Sequence, residues 1–237
     1  MGADRDEVSA AQATAGIEAL YPFLYAEGER DVGAVLEEVR RSTAEKAAEI
    51  VELRRSVLER EAGRLAECAA AMAARFSAGG RLYAFGNGGS STDAQEVATT
   101  FLHPPYGRPL PALSLTSDVA VVTALSNDVG FEVVFSRQIG AFGKPGDVAF
   151  GLSTSGGSGN VIAAFEEAGR RGMLTVGLAG YSGGKMAELE ALDYLFVIPS
   201  ASVHRIQEAQ TTIYHALWEL TQRALAATAS QEAAVSR

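Results

Sequence analysis

Two glycine- and serine-rich segments hold most of the residues in this 237-residue chain that could bind a small anion: residues 86–91 (GNGGSS) and 153–158 (STSGGS). Each follows a short apolar run and leads into a helical pattern. Glycine lets the backbone approach a ligand closely, and a helix N-terminus offers unpaired N–H groups and the positive end of its dipole. Two such loops at the carboxyl ends of strands indicate a site for a phosphorylated small molecule.

The second loop, which begins at Ser153, is the richer of the two in hydroxyl groups. Its hydroxyls come from Ser153, Thr154, Ser155 and Ser158. This set suits a phosphate monoester, and the chain lacks the lysine motif of nucleoside triphosphatases. A flexible polar turn is the alternative, but the position directly after a buried strand favours the anion site. In the first loop, Asn87 and Ser90 can reach the same ligand.

Candidate acid–base residues lie on two helical patterns. Glu96 follows the first loop by one to two helical turns and shares a helix face with Thr100. It is a candidate base, and the spacing is equally consistent with a solvated surface glutamate. In the last helical segment, Gln207, either Gln210 or Thr211, and His215 form a polar stripe. His215 belongs either to a site or to the edge of the core, with one hydrogen bond.

The elements that must position these residues alternate after residue 80. Short apolar runs predict strands at 81–85, 112–115, 147–152, 174–178 and 194–198. Helical patterns are predicted at 92–102, 117–125, 131–142, 159–171, 186–192 and 203–227. Strands separated by helices are typical of a doubly wound parallel sheet, so the fold class is α/β.

A long helical region precedes the sheet. It is predicted over residues 31–76, with a break near Ser42-Thr43 and a stop at Gly79-Gly80, and a short helix is predicted over 15–25. So long an arm would expose apolar surface in a monomer, which favours oligomerisation. The predicted organisation is an N-terminal helical extension (1–78), an α/β domain (79–228) and a disordered tail (229–237).

The composition excludes several classes of function. A net charge of −9 and a pI near 4.9 argue against general nucleic-acid binding, which needs clustered Lys and Arg. No apolar stretch is long enough to cross a bilayer, and residues 1–7 lack the basic-then-apolar order of a signal peptide. The single cysteine, Cys68, is predicted to be a buried apolar residue. We therefore expect a cytoplasmic protein.

The motifs together resemble those of the sedoheptulose 7-phosphate isomerase (phosphoheptose isomerase) family, within the sugar-isomerase (SIS) domain superfamily. The resemblance covers residues 32–225. Its segments are GNGGS with DAQ at 93–95, LSNDVGFE at 125–132, FSRQ at 135–138, KPGDV at 144–148, STSGGSGNV at 153–161 and RIQE at 205–208. It implies a flavodoxin-like three-layer α/β/α sandwich around a parallel five-stranded sheet. It also implies a homotetramer with sites between subunits, and interconversion of D-sedoheptulose 7-phosphate with D-glycero-D-manno-heptose 7-phosphate.

The resemblance also assigns roles to single residues. The family's substrate-binding positions fall on Asn87, Gly88, Gly89, Asn127, Asp128, Ser153, Thr154, Ser155, Ser158 and Gln207. Its catalytic histidine falls on His215. Many members bind zinc through His, Glu, Gln and His. Here Glu96 replaces the first of these histidines, and Thr100 replaces the glutamate that serves as base and ligand.

This departure leaves three outcomes open, because threonine cannot abstract a carbon-bound proton. Glu96 takes over as the base, or Glu96, Gln207 and His215 hold a zinc ion, or the chemistry is lost and the fold is kept for binding. We favour an active aldose–ketose isomerase that works through an enediol, with Glu96 and His215 as its catalytic residues and no organic cofactor. The alternative is a non-catalytic SIS module that binds a sugar phosphate or a protein partner.

Overall fold

The computed structural model describes residues 32–235, with side chains from 33 to 230. The helix predicted over 15–25 lies outside the described residues. The chain divides into two units between Ala47 and Ala48. The predicted domain boundary of 78/79 stays a prediction, and the division falls inside the first described helix. The reason is that this helix, from Ile50 onward, contributes to the core of the α/β unit.

The second unit is built on one parallel sheet with the order β2-β1-β3-β4-β5. The strands are β1 (Leu82–Gly86), β2 (Ala112–Ser114), β3 (Val148–Ser153), β4 (Leu174–Gly180) and β5 (Tyr194–Ile198). The register aligns Gly86 of β1 with Leu152 of β3. The chain therefore leaves these two neighbouring strands side by side, at the switch point where doubly wound sheets bind their ligands.

The helices are α1 (Val32–Ser77), α2 (Gly89–Leu102), α3 (Val119–Asp128), α4 (Val134–Phe142), α5 (Gly159–Arg170) and α6 (Val203–Val235). Short 3₁₀ helices occupy Phe131–Val133 and Gly184–Glu188. At the end of α1, Gly79 adopts a φ of 87°, and the amides of Gly79 and Gly80 bond carbonyls of the last turn. The predicted glycine stop is thus confirmed.

Besides shifts of up to three residues at helix ends, three predictions for the helices were wrong. The break at Ser42-Thr43 is absent, because these side chains lie on the helix surface, where their low helix propensity costs little. The helix predicted over 186–192 is only the 3₁₀ turn Gly184–Glu188, and the chain beyond it is held by hydrogen bonds between Asp193 and Thr175. The last helix extends to Val235, beyond the predicted limit of 227, through alanine-rich sequence with high helix propensity.

Alternate strand residues face two hydrophobic cores, one on each side of the sheet. Leu82 and Ala84 of β1 join the core formed with α1, α2 and α6. Tyr83 and Phe85 of the same strand join the core formed with α4 and α5. This arrangement confirms the three-layer α/β/α sandwich.

Two composition-based expectations can be compared with the structure. Cys68 is fully buried, and burial raises the pKa of its thiol to about 12, so it is an inert core residue, as predicted. Within residues 32–235, no helix combines the length and apolar character needed to cross a bilayer.

Candidate active site

The first loop connects β1 to α2 through Gly88, whose backbone conformation is one that only glycine adopts readily. Gly88 is the N-cap of α2 with φ 56° and ψ −123°, and no side chain caps this helix. Ser90 is buried in the first turn, and its N–H bonds the Asn87 carbonyl oxygen. The Ser91 N–H likewise bonds the Gly88 carbonyl oxygen. An anionic ligand at the start of α2 would therefore be bound by the amides that precede Ser90 and by the positive end of the helix dipole.

The second loop connects β3 to α5 and is folded around a serine hydroxyl. Ser153 is buried, and its Oγ lies 3.1 Å from Ser158 Oγ and accepts the Gly156 N–H at 3.1 Å. Ser155 Oγ accepts the Gly157 N–H at 3.2 Å and is exposed. Ser158 is the N-cap of α5, but its side chain makes no capping bond. A second helix N-terminus is therefore free to bind an anion beside the first.

A pair of amides joins the two loops. Asn87 Nδ2 donates to Asn160 Oδ1 at 2.8 Å, and Asn160 Nδ2 donates to Asn87 Oδ1 at 2.9 Å. Asn160 lies in the first turn of α5 and is buried. Sequence reasoning missed its role. The available signal was an asparagine soon after each of two predicted strands. Whether the two side chains meet depends on the register of those strands, which the sequence does not give.

Replacing Asn160 by alanine should therefore loosen the site as well as the fold. The change leaves the Asn87 amide with neither of its partners, and because Asn87 is only partly buried, we expect a cost near the lower end of the range for unpaired polar groups, about 1 kcal/mol. We expect a lower free energy of unfolding in urea and a KM that rises severalfold. Gln95→Ala, an exposed polar change on α2, is the control. Wild-type stability together with wild-type KM in Asn160→Ala would contradict this role.

The two candidate catalytic residues meet between α2 and α6. His215 Nε2 lies 3.3 Å from Glu96 Oε1, and the side chains are 43% and 52% exposed, so both can reach a ligand. The spacing on α2 left Glu96 equally consistent with a solvated surface residue. The structure instead pairs it with the imidazole to which the resemblance assigns catalysis.

Two further ionisable groups line this contact. Tyr214 is buried, and its hydroxyl donates to Thr211 Oγ1 at 3.3 Å. Burial raises the pKa of this phenol well above its usual range, and the nearby Glu96 carboxylate adds to the shift. Burial likewise raises the pKa of the Asp93 carboxyl, one turn before Glu96 on α2. Sequence reasoning assigned no role to Tyr214 or Asp93.

Among the other predicted substrate residues, Gln207 contacts the first loop, whereas Asn127 and Asp128 lie at the end of α3. A β-carbon at Gly89 would lie 2.2 Å from Gln207 Nε2, so this amide packs directly on the start of α2. Asn127 and Asp128 are exposed at the end of α3, where Asn127 Nδ2 donates to Asp128 Oδ1 at 2.8 Å. That these two bind the substrate stays a prediction.

The donor set does not match a zinc centre. Protein zinc sites are built from imidazole, thiolate and carboxylate ligands, with three or four from the protein. Across the described residues, no three His, Cys, Asp or Glu side chains are grouped so that they could hold a metal ion. Glu96 and His215 supply only two such ligands, and the amide nitrogen of Gln207 points at Asp93. The residues present therefore do not fit a zinc ion.

Comparison with known proteins agrees with this architecture. Residues 47–180 match the SIS domain family. The chain is 41% identical over 179 residues to the phosphoheptose isomerase of Roseiflexus sp., covering 74% of this chain and 89% of that protein. It is 40% identical to that of Aquifex aeolicus over 190 residues, 79% of this chain and 96% of the relative.

A solved structure gives the same result. The phosphoheptose isomerase of Neisseria gonorrhoeae superposes with a TM-score of 0.71 at 35% identity, covering 76% of this chain and 97% of the other. Sequence similarity and fold therefore point to the same group of proteins. The chain belongs to the phosphoheptose isomerase family of SIS-domain proteins.

Proposed function

We propose that this protein is an aldose–ketose isomerase that converts D-sedoheptulose 7-phosphate to D-glycero-D-manno-heptose 7-phosphate. Relatives at about 40% identity that bear the name phosphoheptose isomerase support this assignment. The observation that carries it is the 3.3 Å contact between Glu96 and His215. It places a carboxylate and an imidazole together at a site that has lost the family's usual base.

The phosphate end of the sugar is assigned to the second loop. The hydroxyls of Ser153, Thr154, Ser155 and Ser158 and the uncapped N-terminus of α5 provide many donors without a protein charge. Held there, the non-reacting end orients the sugar so that binding energy positions the reacting carbons. The first loop is joined to the start of α5 by the Asn87–Asn160 pair and is assigned to the hydroxyl groups in the middle of the sugar.

The reacting end then lies between α2 and α6. The Glu96 carboxylate takes a proton from C1 of the ketose, and His215 gives a proton to the oxygen on C2, which forms the enediol. Return of the carbon-bound proton to C2 and loss of the O1 proton to His215 produce the aldehyde. Every proton that leaves one carbon arrives at the other, so no external oxidant or reductant is needed.

The test is incubation of the purified protein with D-sedoheptulose 7-phosphate, with the aldose followed by NMR. Parallel samples contain zinc or a chelator, because the donor set predicts that neither changes the rate. Aldose formation supports the proposal. Tight binding of the ketose without turnover would show instead a sugar-phosphate-binding module, which the threonine at position 100 would explain.

We also propose that the protein works as a homotetramer with sites between subunits, as the family resemblance implies. Val51 and Leu58 on α1 support this, because each is more than half exposed although apolar. A partner subunit that covers α1 would bury them. Light scattering coupled to size exclusion should give four times the 24.8 kDa chain mass, and a monomer would contradict the assembly.

A further inference from the structure

The side chain of Gln207 is held between two features of α2. On one side it packs against Gly89, where any β-carbon would collide with its nitrogen. On the other side its Nε2 donates to Asp93 Oδ2 at 3.3 Å. Gly89 and Asp93 are four residues apart, so both lie on the helix face turned toward α6. The amide of Gln207 is therefore fixed at its nitrogen end.

Asp93 determines which end of this amide faces the ligand. The nitrogen and oxygen of a glutamine have nearly the same size, so packing alone allows either orientation. A carboxylate only accepts hydrogen bonds, and the NH₂ group must therefore face Asp93. Among the described side chains, none donates to Gln207 Oε1, which is left as a free acceptor.

We propose that Asp93 is a positioning residue, which holds the Gln207 amide so that its oxygen accepts a hydrogen bond from a substrate hydroxyl. This inference rests on the proposed function, because it requires a polyhydroxylated ligand at this site. Asp93 acts through Gln207 and does not touch the sugar. A sugar hydroxyl that meets an acceptor here can donate its proton, whereas a flipped amide would present two competing N–H groups.

The surroundings of Asp93 disfavour its charged form, except for the hydrogen bond from Gln207. Asp93 is partly buried, and burial and the Glu96 charge raise the pKa of its carboxyl, while the bond from Gln207 lowers it. The hydrogen bond from Gln207 stabilises the charged form of Asp93, and the Asp93 carboxylate in turn orients the Gln207 amide.

The first test is Asp93→Asn. The introduced amide can donate to Gln207 Oε1 as well as accept from Gln207 Nε2, so the glutamine is no longer held in one orientation and its nitrogen can face the sugar. We expect KM for D-sedoheptulose 7-phosphate to rise about tenfold, with kcat much less affected. The control is Asp147→Asn, since Asp147 is a buried carboxylate that accepts the N–H groups of Arg81 and Lys144 at the opposite ends of the strands. That change should lower stability and leave KM unchanged.

The second test exchanges the two groups. Asp93→Asn combined with Gln207→Glu restores one donor facing one acceptor and keeps the net charge, with an oxygen still available to the sugar. We expect the double variant to have a lower KM than either single variant. A purely structural Asp93 would leave KM unchanged in the single variant, and an Asp93 that transfers protons itself would show no such rescue. An unchanged KM in Asp93→Asn, or a KM in the double variant that is not lower than that of both single variants, would overturn the inference.

Calorimetric titration with D-sedoheptulose 7-phosphate separates this inference from the proposed function. If the wild-type protein binds the ketose without converting it, the isomerase proposal fails. The same exchange can then be measured as dissociation constants, where Asp93→Asn should weaken binding about tenfold and the double variant should recover it. Equal dissociation constants across the three variants and the wild type would reject the role of Asp93 alone.

Discussion

Glu96→Gln should reduce kcat by about two to four orders of magnitude, the usual contribution of a general base. Glutamine has the shape of glutamate and can keep the contact with His215, but an amide cannot accept a carbon-bound proton. The loss should therefore appear in turnover and not in folding. Aldose formation measured by NMR gives the rate, and circular dichroism with thermal unfolding checks the fold.

Thr100→Val is the matched control for this change. Thr100 lies one turn further along α2, at the position where the family carries its base, and valine has nearly the same shape. If Glu96 has taken over proton transfer, removal of the Thr100 hydroxyl should leave kcat within a few-fold of wild type. Near-normal turnover in purified Glu96→Gln would remove this residue from the mechanism, and a large loss in Thr100→Val would move the reacting centre along the helix.

The pairing of Glu96 with His215 shows which part of the site can be predicted from the sequence and which part cannot. Helical spacing could place Glu96 on a face of α2 and His215 on a face of α6, and both faces were predicted. Which faces meet depends on how the two helices pack on the sheet, and that is set by buried residues such as Val97 and Ile213 acting together. The contact therefore became visible only in the folded chain.

Elements bounded by strong local signals were predicted well, and others were not. The strand over Tyr194–Ile198 was predicted to the residue, since an apolar run there ends at proline and serine. The 3₁₀ turn Gly184–Glu188 was predicted as a longer helix, because its apolar spacing looks helical. Its limits depend on contacts with the second loop, where the Met186 N–H bonds the Gly156 carbonyl oxygen at 2.9 Å. Such non-local bonds leave no mark in a local pattern.

Close packing of the second loop on this turn makes Gly156→Ala the second change with a large expected effect. Gly156 has a φ of 64°, and a β-carbon there would lie 2.0 Å from the carbonyl oxygen of Gly183. The strained backbone conformation alone costs about 1–3 kcal/mol, and the colliding atom is backbone, so it cannot turn aside. The loop must therefore move away from Gly183, and the Gly156 N–H leaves Ser153 Oγ.

A displaced second loop should bind phosphate badly, because its donors no longer converge on one point. A shift of about 1 Å can lower kcat/KM about a hundredfold, and we expect a loss of this size in Gly156→Ala. The inhibition constant of inorganic phosphate should rise in parallel. Gly157→Ala is the matched control, since a β-carbon there lies 3.7 Å from Ser155 Oγ, an ordinary contact on an exposed residue. If Gly156→Ala does not fold, Ser153→Ala removes only the central hydroxyl and should raise the same inhibition constant. Phosphate inhibition that is unchanged in both variants would place the phosphate elsewhere and leave the second loop without its assigned ligand.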